Sequence, residues 1–235
     1  MRAVLFDFGG TLYDYGSLQP GEAESRESLV RWSGVSASPA EIARAQAEAM
    51  RAVFSTYADR EFYLHRDLFR DSVRGMLERL GAPVDEGHLD RYRELQWQGH
   101  TQNFQLRNGV IETLVALRAR GLHVGMVSNI DEDQLEHLLD LAGVATHFDS
   151  ILSSESAGSC KPHGEIFEKA LARAACAPEE ALFVGDSRSA DVAGANRAGL
   201  VSVLLWHRSD KEPPDEDPRP RHVIARIPEI LELLP

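Results

Sequence analysis

Lysine, cysteine and long apolar runs are all scarce in this chain, and each shortage narrows the possibilities. The only lysines are Lys161, Lys169 and Lys211, so arginine supplies nearly all of the 25 basic residues. Acidic residues number 37, for a formal charge of −12. A surface of that sign repels phosphate backbones and anionic headgroups, so neither nucleic acid nor a membrane is the expected partner. It also means that a phosphorylated ligand needs a local cation or a metal to draw it in. The two cysteines, Cys160 and Cys176, are too few for a disulfide scaffold and lack zinc-ligand spacing, and both read as reduced thiols, with Cys176 packed. No apolar run approaches membrane-spanning length, and the sequence enters a strand directly with no targeting pattern, which makes the cytoplasm the expected location. The 235 residues, 43% hydrophobic and 26% charged, suffice for one large core or for a core and a smaller domain.

The apolar run Ala3 to Phe6 carries Asp7 to the tip of a strand, where Gly9 and Gly10 let the backbone turn sharply. On this evidence alone Asp7 is either the cap of a turn or a reactive carboxylate. From Tyr15 to Gln105 no buried strand is apparent, and Ala, Glu, Arg and Leu favour helices. Ser38-Pro39-Ala40-Glu41 reads as a helix start, with Ile42, Ala45, Ala49 and Val53 on its inner face. A second helix is expected over Tyr63 to Leu80, with Leu64, Leu68, Val73, Leu77 and Leu80 inside and Gly81 ending it. A third runs near Asp85 to Gln98.

Beyond Asn108, helices and strands alternate. Helices are expected at Val110–Arg120, Asp131–Leu141, Glu165–Ala175 and Ala190–Ala198, and strands at Leu122–Val127, Phe148–Leu152, Ala181–Val184 and Leu200–Leu205. The rhythm indicates a parallel sheet with helices on both faces. The Pro- and charge-rich stretch His207 to Arg221 reads as a surface loop, followed by an edge strand at Val223-Ile224 and a helix at Pro228–Leu233. The fold class is therefore α/β: a Rossmann-like core from residues 1–14 and 106–235, with a helical domain, 15–105, inserted after the first strand.

Four polar features fall at successive strand ends: Asp7; Ser128-Asn129; Lys161-Pro162; and Gly185-Asp186-Ser187 with Asp191. Parallel strands bring such ends to one crevice. Carboxylates gather at that density only when a cation offsets their repulsion, and oxygen donors suit Mg²⁺. Ser128 and nearby amides suit phosphate oxygens, and Lys161 supplies a point charge. Each feature also has an ordinary reading: Ser128-Asn129 as a turn, Asp186 and Asp191 as helix caps, Lys161 as a solvated side chain.

Taken together, Asp7-Phe8-Gly9-Gly10-Thr11-Leu12, Ser128-Asn129, Lys161-Pro162 and Gly185-Asp186-Ser187-Arg188-Ser189-Ala190-Asp191 resemble, in order, the four motifs of the haloacid dehalogenase superfamily. The inserted helices resemble the C1-type cap, expected to close over the substrate and set specificity. The resemblance implies a phosphomonoester hydrolase acting on a small phosphorylated metabolite through an aspartyl-phosphate. It casts Asp7 as nucleophile and Mg²⁺ ligand. The Gly9 carbonyl and Asp186 would be further ligands, and Asp191 would steady the metal or Lys161. The phosphate would be held by Gly10, Ser128, Asn129 and Lys161, the last bridging it to Asp7.

One position departs from the pattern. Phosphatases of this superfamily commonly carry a second aspartate two residues after the nucleophile, where this chain has Gly9. A positioned acid/base contributes about 10²–10⁴ in rate. Other routes are a leaving group needing little protonation, or a proton from His65, His88 or His100, each of which as a lone histidine ordinarily reads as a surface residue. Dehalogenases of the superfamily also lack the second acid and need no metal, but typically have Ser-Asn where this chain has Gly185-Asp186. Phosphonate cleavage through a lysine Schiff base in the inserted domain is excluded, because no lysine precedes Cys160. A catalytically weakened phosphate-binding protein is the remaining alternative.

Overall fold

The computed structural model describes residues 1–207 and 216–234. The chain forms two compact units, Met1–Asp14 with Gln105–Pro235, and Tyr15–Phe104.

In the first unit six strands form one parallel sheet: β1 (Ala3–Phe6), β2 (His123–Ser128), β3 (Ser150–Ser153), β4 (Ala181–Gly185), β5 (Val201–Leu205) and β6 (His222–Ile224). Their order is β3-β2-β1-β4-β5-β6. The chain thus leaves β1 in one direction toward β2 and β3, and returns to its other side for β4. Reversal beside a central strand opens the crevice in which α/β proteins place their chemistry. Ala3, Val4, Leu5 and Phe6 are all fully buried, as expected of a central parallel strand covered on both faces. On one face Leu5, Val127, Leu152 and Phe183 pack against Ile166, Phe167 and Ala170 of a helix at Gly164–Ala174. Further helices lie at Val110–Ala119, Glu132–Ala142, Ser154–Ala157 and Ala193–Arg197.

Several boundaries differ from the sequence reading, each for a local reason. The strand expected from Phe148 begins at Ser150, because a 3₁₀ turn at Ala145–His147 and the Asp149 carboxylate, bonded to the Val124 amide, occupy its start. The helix expected from Ala190 opens as a π turn over Arg188–Val192, with α-helix only at Ala193–Arg197. The Ser187 hydroxyl caps it by accepting from the Ala190 amide. The expected helix Pro228–Leu233 is a 3₁₀ segment, Ile227–Glu232. The loop reading of His207–Arg221 falls partly on 208–215, outside the described residues. At its described end the Arg219 carbonyl accepts from Asn196 and the Arg221 amide bonds the Ser202 carbonyl.

The second unit has four helices: α1 (Tyr15–Trp32), α2 (Pro39–Tyr57), α3 (His65–Arg79) and α4 (Glu86–Asn103). The capping box at Ser38 is present: the Glu41 amide bonds the Ser38 hydroxyl, and the Glu41 carboxylate accepts from the Ser38 amide. Leu29, Ile42, Ala49, Val73, Met76, Leu77 and Leu89 make its core. Val53, Leu64 and Leu80, expected inside, are only half-buried because they lie at or near helix ends. Helix α1 escaped sequence reading as a separate element; Gly16, Pro20 and Gly21 all lie within it. Gly21 has a packing reason, since a Cβ there would stand 2.8 Å from the Gly99 Cα of α4. His65 and His100 are buried rather than on the surface. The Nε2 of His100 lies 3.7 Å from a Glu22 carboxylate oxygen. Among the described residues no helix is long and apolar enough to cross a membrane.

Candidate active site

Asp7 follows β1, and its amide continues the ladder by bonding the Val184 carbonyl. Its carboxylate thereby emerges beside the end of β4, and the side chain is only 8% exposed. Three side-chain donors fix it. The Lys161 ammonium reaches Oδ1 at 2.6 Å, the Ser128 hydroxyl reaches the same oxygen at 3.3 Å, and the Thr11 hydroxyl reaches Oδ2 at 2.9 Å. Lys161 also donates to Asp191 Oδ1 at 2.7 Å, and the Ser187 amide holds the other Asp191 oxygen at 2.9 Å. Both Asp191 oxygens are therefore committed. The chain passes so close that a Cβ on Gly185 would lie 2.3 Å from the Asp191 Cγ.

Carboxylate oxygens of Asp7, Asp186 and Asp191 lie within 4.8 Å of one another. Among the described residues one ammonium, that of Lys161, faces these acids, and the imbalance shows in the acidities. Burial first, then the charges of Asp7 and Asp191, push Asp186 up to about 7. Burial likewise raises Asp191, against the opposing pull of Lys161, to about 6. Burial alone would make Lys161 easier to deprotonate, but Asp191 and Asp7 outweigh it and hold the amine well above the usual lysine range. Lys161 is thus an ammonium at every relevant pH.

The residues singled out from sequence meet here, with three refinements. Asn129 directs its side chain at the lysine backbone: its carboxamide oxygen accepts from the Lys161 amide at 2.7 Å, and its NH₂ donates to the Lys161 carbonyl at 2.9 Å. That clamp commits the Asn129 carboxamide to the lysine backbone. Of the two motif glycines, Gly10 (φ 80°) takes the left-handed conformation that the turn requires. Thr11, fully buried, is a site residue that sequence reasoning missed; beyond its bond to Asp7 its hydroxyl also points toward Asp186, 3.5 Å away. The available signal was its position four residues after Asp7 across a glycine turn.

The chain matches the model of the haloacid dehalogenase-like hydrolase family over residues 1–199. It is similar to haloacid dehalogenase-like hydrolase domain-containing protein 3 of Mus musculus, at 30% identity over all of this chain and 93% of that protein. Glyceraldehyde 3-phosphate phosphatase of Methanopyrus kandleri is 32% identical over 70% of this chain and 87% of its own length. Among solved structures, the magnesium-bound HAD-hydrolase YfnB from Bacillus subtilis superposes with a TM-score of 0.79, covering 99% of this chain and 97% of that one at 22% identity. With the motif residues gathered at the sheet's switch point, these matches show that the chain belongs to the haloacid dehalogenase-like hydrolase family.

Proposed function

We propose that the chain is a cytoplasmic, Mg²⁺-dependent phosphomonoester hydrolase for a small phosphorylated metabolite, with Asp7 as nucleophile. The carrying observation is the set of three carboxylates held within 4.8 Å around a single ammonium. The donor set suits a divalent hard cation: oxygen atoms only, net charge of about −2 when all three acids ionise with Lys161 charged, and Asp186 raised by burial and then by the neighbouring acids. Asp7, Asp186 and the Gly9 carbonyl would hold Mg²⁺, with Asp191 engaged on Lys161. When bound, the ion neutralises phosphate charge that the acids would otherwise repel.

The chain's own residues do the rest. Thr11, Ser128 and Lys161 orient Asp7 so that one carboxylate oxygen faces phosphorus. Attack forms the Asp7 O–P bond as the ester P–O bond breaks, its electron pair leaving on the alcohol oxygen. That oxygen takes a proton from solvent, because Gly9 offers none. Water then attacks phosphorus, the Asp7 O–P bond breaks, and inorganic phosphate and the Asp7 carboxylate are released. Lys161, Ser128, the Asn129 amide and the Gly10 loop hold the phosphate oxygens through both steps. The phosphatase names of relatives such as the Methanopyrus kandleri enzyme support this substrate class.

Phosphate release from a panel of sugar, amino-acid and aryl phosphates, with MgCl₂ and with EDTA, tests the reading. Turnover that needs Mg²⁺ and disappears in Asp7→Asn is expected. Chloride release from 2-chloropropionate in EDTA, without phosphate release, would replace this reading with carbon–halogen hydrolysis. Phosphate binding with no turnover of either kind would leave a binding protein.

A further inference from the structure

The loop that carries Asp7 and Thr11 is fastened by a residue outside every motif described above. Residues 8–14 follow β1, and the chain from Gln105 onward lies against them. The Arg107 amide donates to the Leu12 carbonyl at 2.9 Å, the Asp14 amide to the Gln105 carbonyl at 3.4 Å, and Tyr13 and Leu106 form an antiparallel bridge. The Arg107 side chain then turns onto the loop. Its Nε and Nη2 donate to the single Gly10 carbonyl oxygen at 3.1 and 2.9 Å, and Nη2 also lies 3.5 Å from Asp14 Oδ1. The side chain is 19% exposed, so much of this contact is shielded from water.

The contact falls at a sensitive point. Gly10 is in the left-handed region, and its shielded carbonyl, which like any such group requires a donor, takes two hydrogen bonds from Arg107. The same peptide unit leads into Thr11, whose hydroxyl holds Asp7 Oδ2. A planar fork with two N–H groups on one oxygen fixes that peptide in direction as well as position, which a single ammonium does less well.

We propose that Arg107 is a positioning residue for the Asp7 site: by clamping the Gly10 carbonyl it sets the Gly10–Thr11 peptide, and through the Thr11 hydroxyl it sets the rotation of the Asp7 carboxylate. Its effect on rate rests on the phosphatase reading; its effect on the loop does not. A displacement near 1 Å at reacting atoms costs on the order of 10²-fold in rate. Arg107→Ala should therefore lower kcat on p-nitrophenyl phosphate about 10- to 100-fold with KM changed less than about threefold. Arg107→Lys should fall between the two, and millimolar methylguanidinium should restore part of the activity of Arg107→Ala but add nothing to wild type. Asp14→Ala, which removes the ion pair and keeps the carbonyl fork, should stay close to wild type.

The readout independent of turnover is amide hydrogen exchange over residues 8–14. Exchange there should speed up at least tenfold in Arg107→Ala, with the β4 and β5 segments unchanged. Unchanged exchange in 8–14, or a kcat loss that Arg107→Lys and methylguanidinium both fail to relieve, would overturn the assignment. If wild type hydrolyses no phosphate ester, the phosphatase reading fails and the exchange comparison alone decides the role of Arg107.

Discussion

The acid cluster makes a quantitative demand on the metal-free protein. Asp186 ionises near 3.8 when unfolded and at about 7 in the folded state, where burial and then the neighbouring acids disfavour its charge. Between those two values the folded protein binds more protons than the unfolded chain, so stability falls as pH rises. Each unit is worth about 1.36 kcal/mol. Relative to a form that cannot ionise, ionisable Asp186 costs about 2 kcal/mol at pH 5 and about 4 kcal/mol at pH 8, and nothing well below pH 4. Asp186→Asn supplies that form, being close in shape to the protonated acid. In EDTA the variant should thus be more stable than wild type, by roughly twice as much at pH 8 as at pH 5.

Mg²⁺ should narrow the gap. It binds where the protons were, so at 100 times its dissociation constant it stabilises wild type by about 2.7 kcal/mol at pH 8 and less at pH 5, where protons compete. Asp186→Asn should gain little. Urea unfolding of the α/β unit can be followed by Trp206 fluorescence after Trp32 and Trp97, both in the helical unit, are replaced by Phe. That choice matters because two compact units need not unfold together. A variant no more stable than wild type at pH 8 in EDTA, or one that Mg²⁺ stabilises as strongly, would refute the account of Asp186 as an acid awaiting a cation.

Three further outcomes are expected. Gly9→Asp should raise turnover of poorly leaving alkyl phosphates more than that of p-nitrophenyl phosphate, which needs no acid; a steady-state comparison giving equal effects counts against a missing general acid at this position. Gly185→Ala places a methyl 2.3 Å from the Asp191 Cγ, which must withdraw from Lys161. Activity should fall at least tenfold and the α/β unit should lose about 1–3 kcal/mol in urea unfolding, as overpacked sites do. Gly21→Ala adds helix propensity yet sets a Cβ 2.8 Å from the Gly99 backbone, so the helical unit should be destabilised by about 1–3 kcal/mol in circular-dichroism melts, against the sign that propensity alone gives.

How much of this was legible in the sequence depended on whether the cause was local. The central strand was legible because Ala3–Phe6 is an unbroken apolar run, and Ser38–Glu41 because a capping box is a four-residue object. Asp7, Lys161, Asp186 and Asp191 were legible because the topology of a parallel sheet carries strand ends to one crevice. Several of the site's supports were not, since they depend on pairing between distant segments. Asn129 holds the Lys161 backbone from 32 residues away, and Arg107 holds Gly10 across 97. Helix α1 was hidden because Gly21 serves a close approach to α4, a tertiary reason that overrides propensity. Gly9 was half legible. The sequence shows an acid absent, yet of the glycine pair it is Gly10 that adopts the left-handed backbone, so the turn itself does not demand glycine at position 9. What the described residues do show is commitment: three donors hold Asp7 and two acids hold Lys161, so the proposed reaction leaves the departing oxygen to solvent.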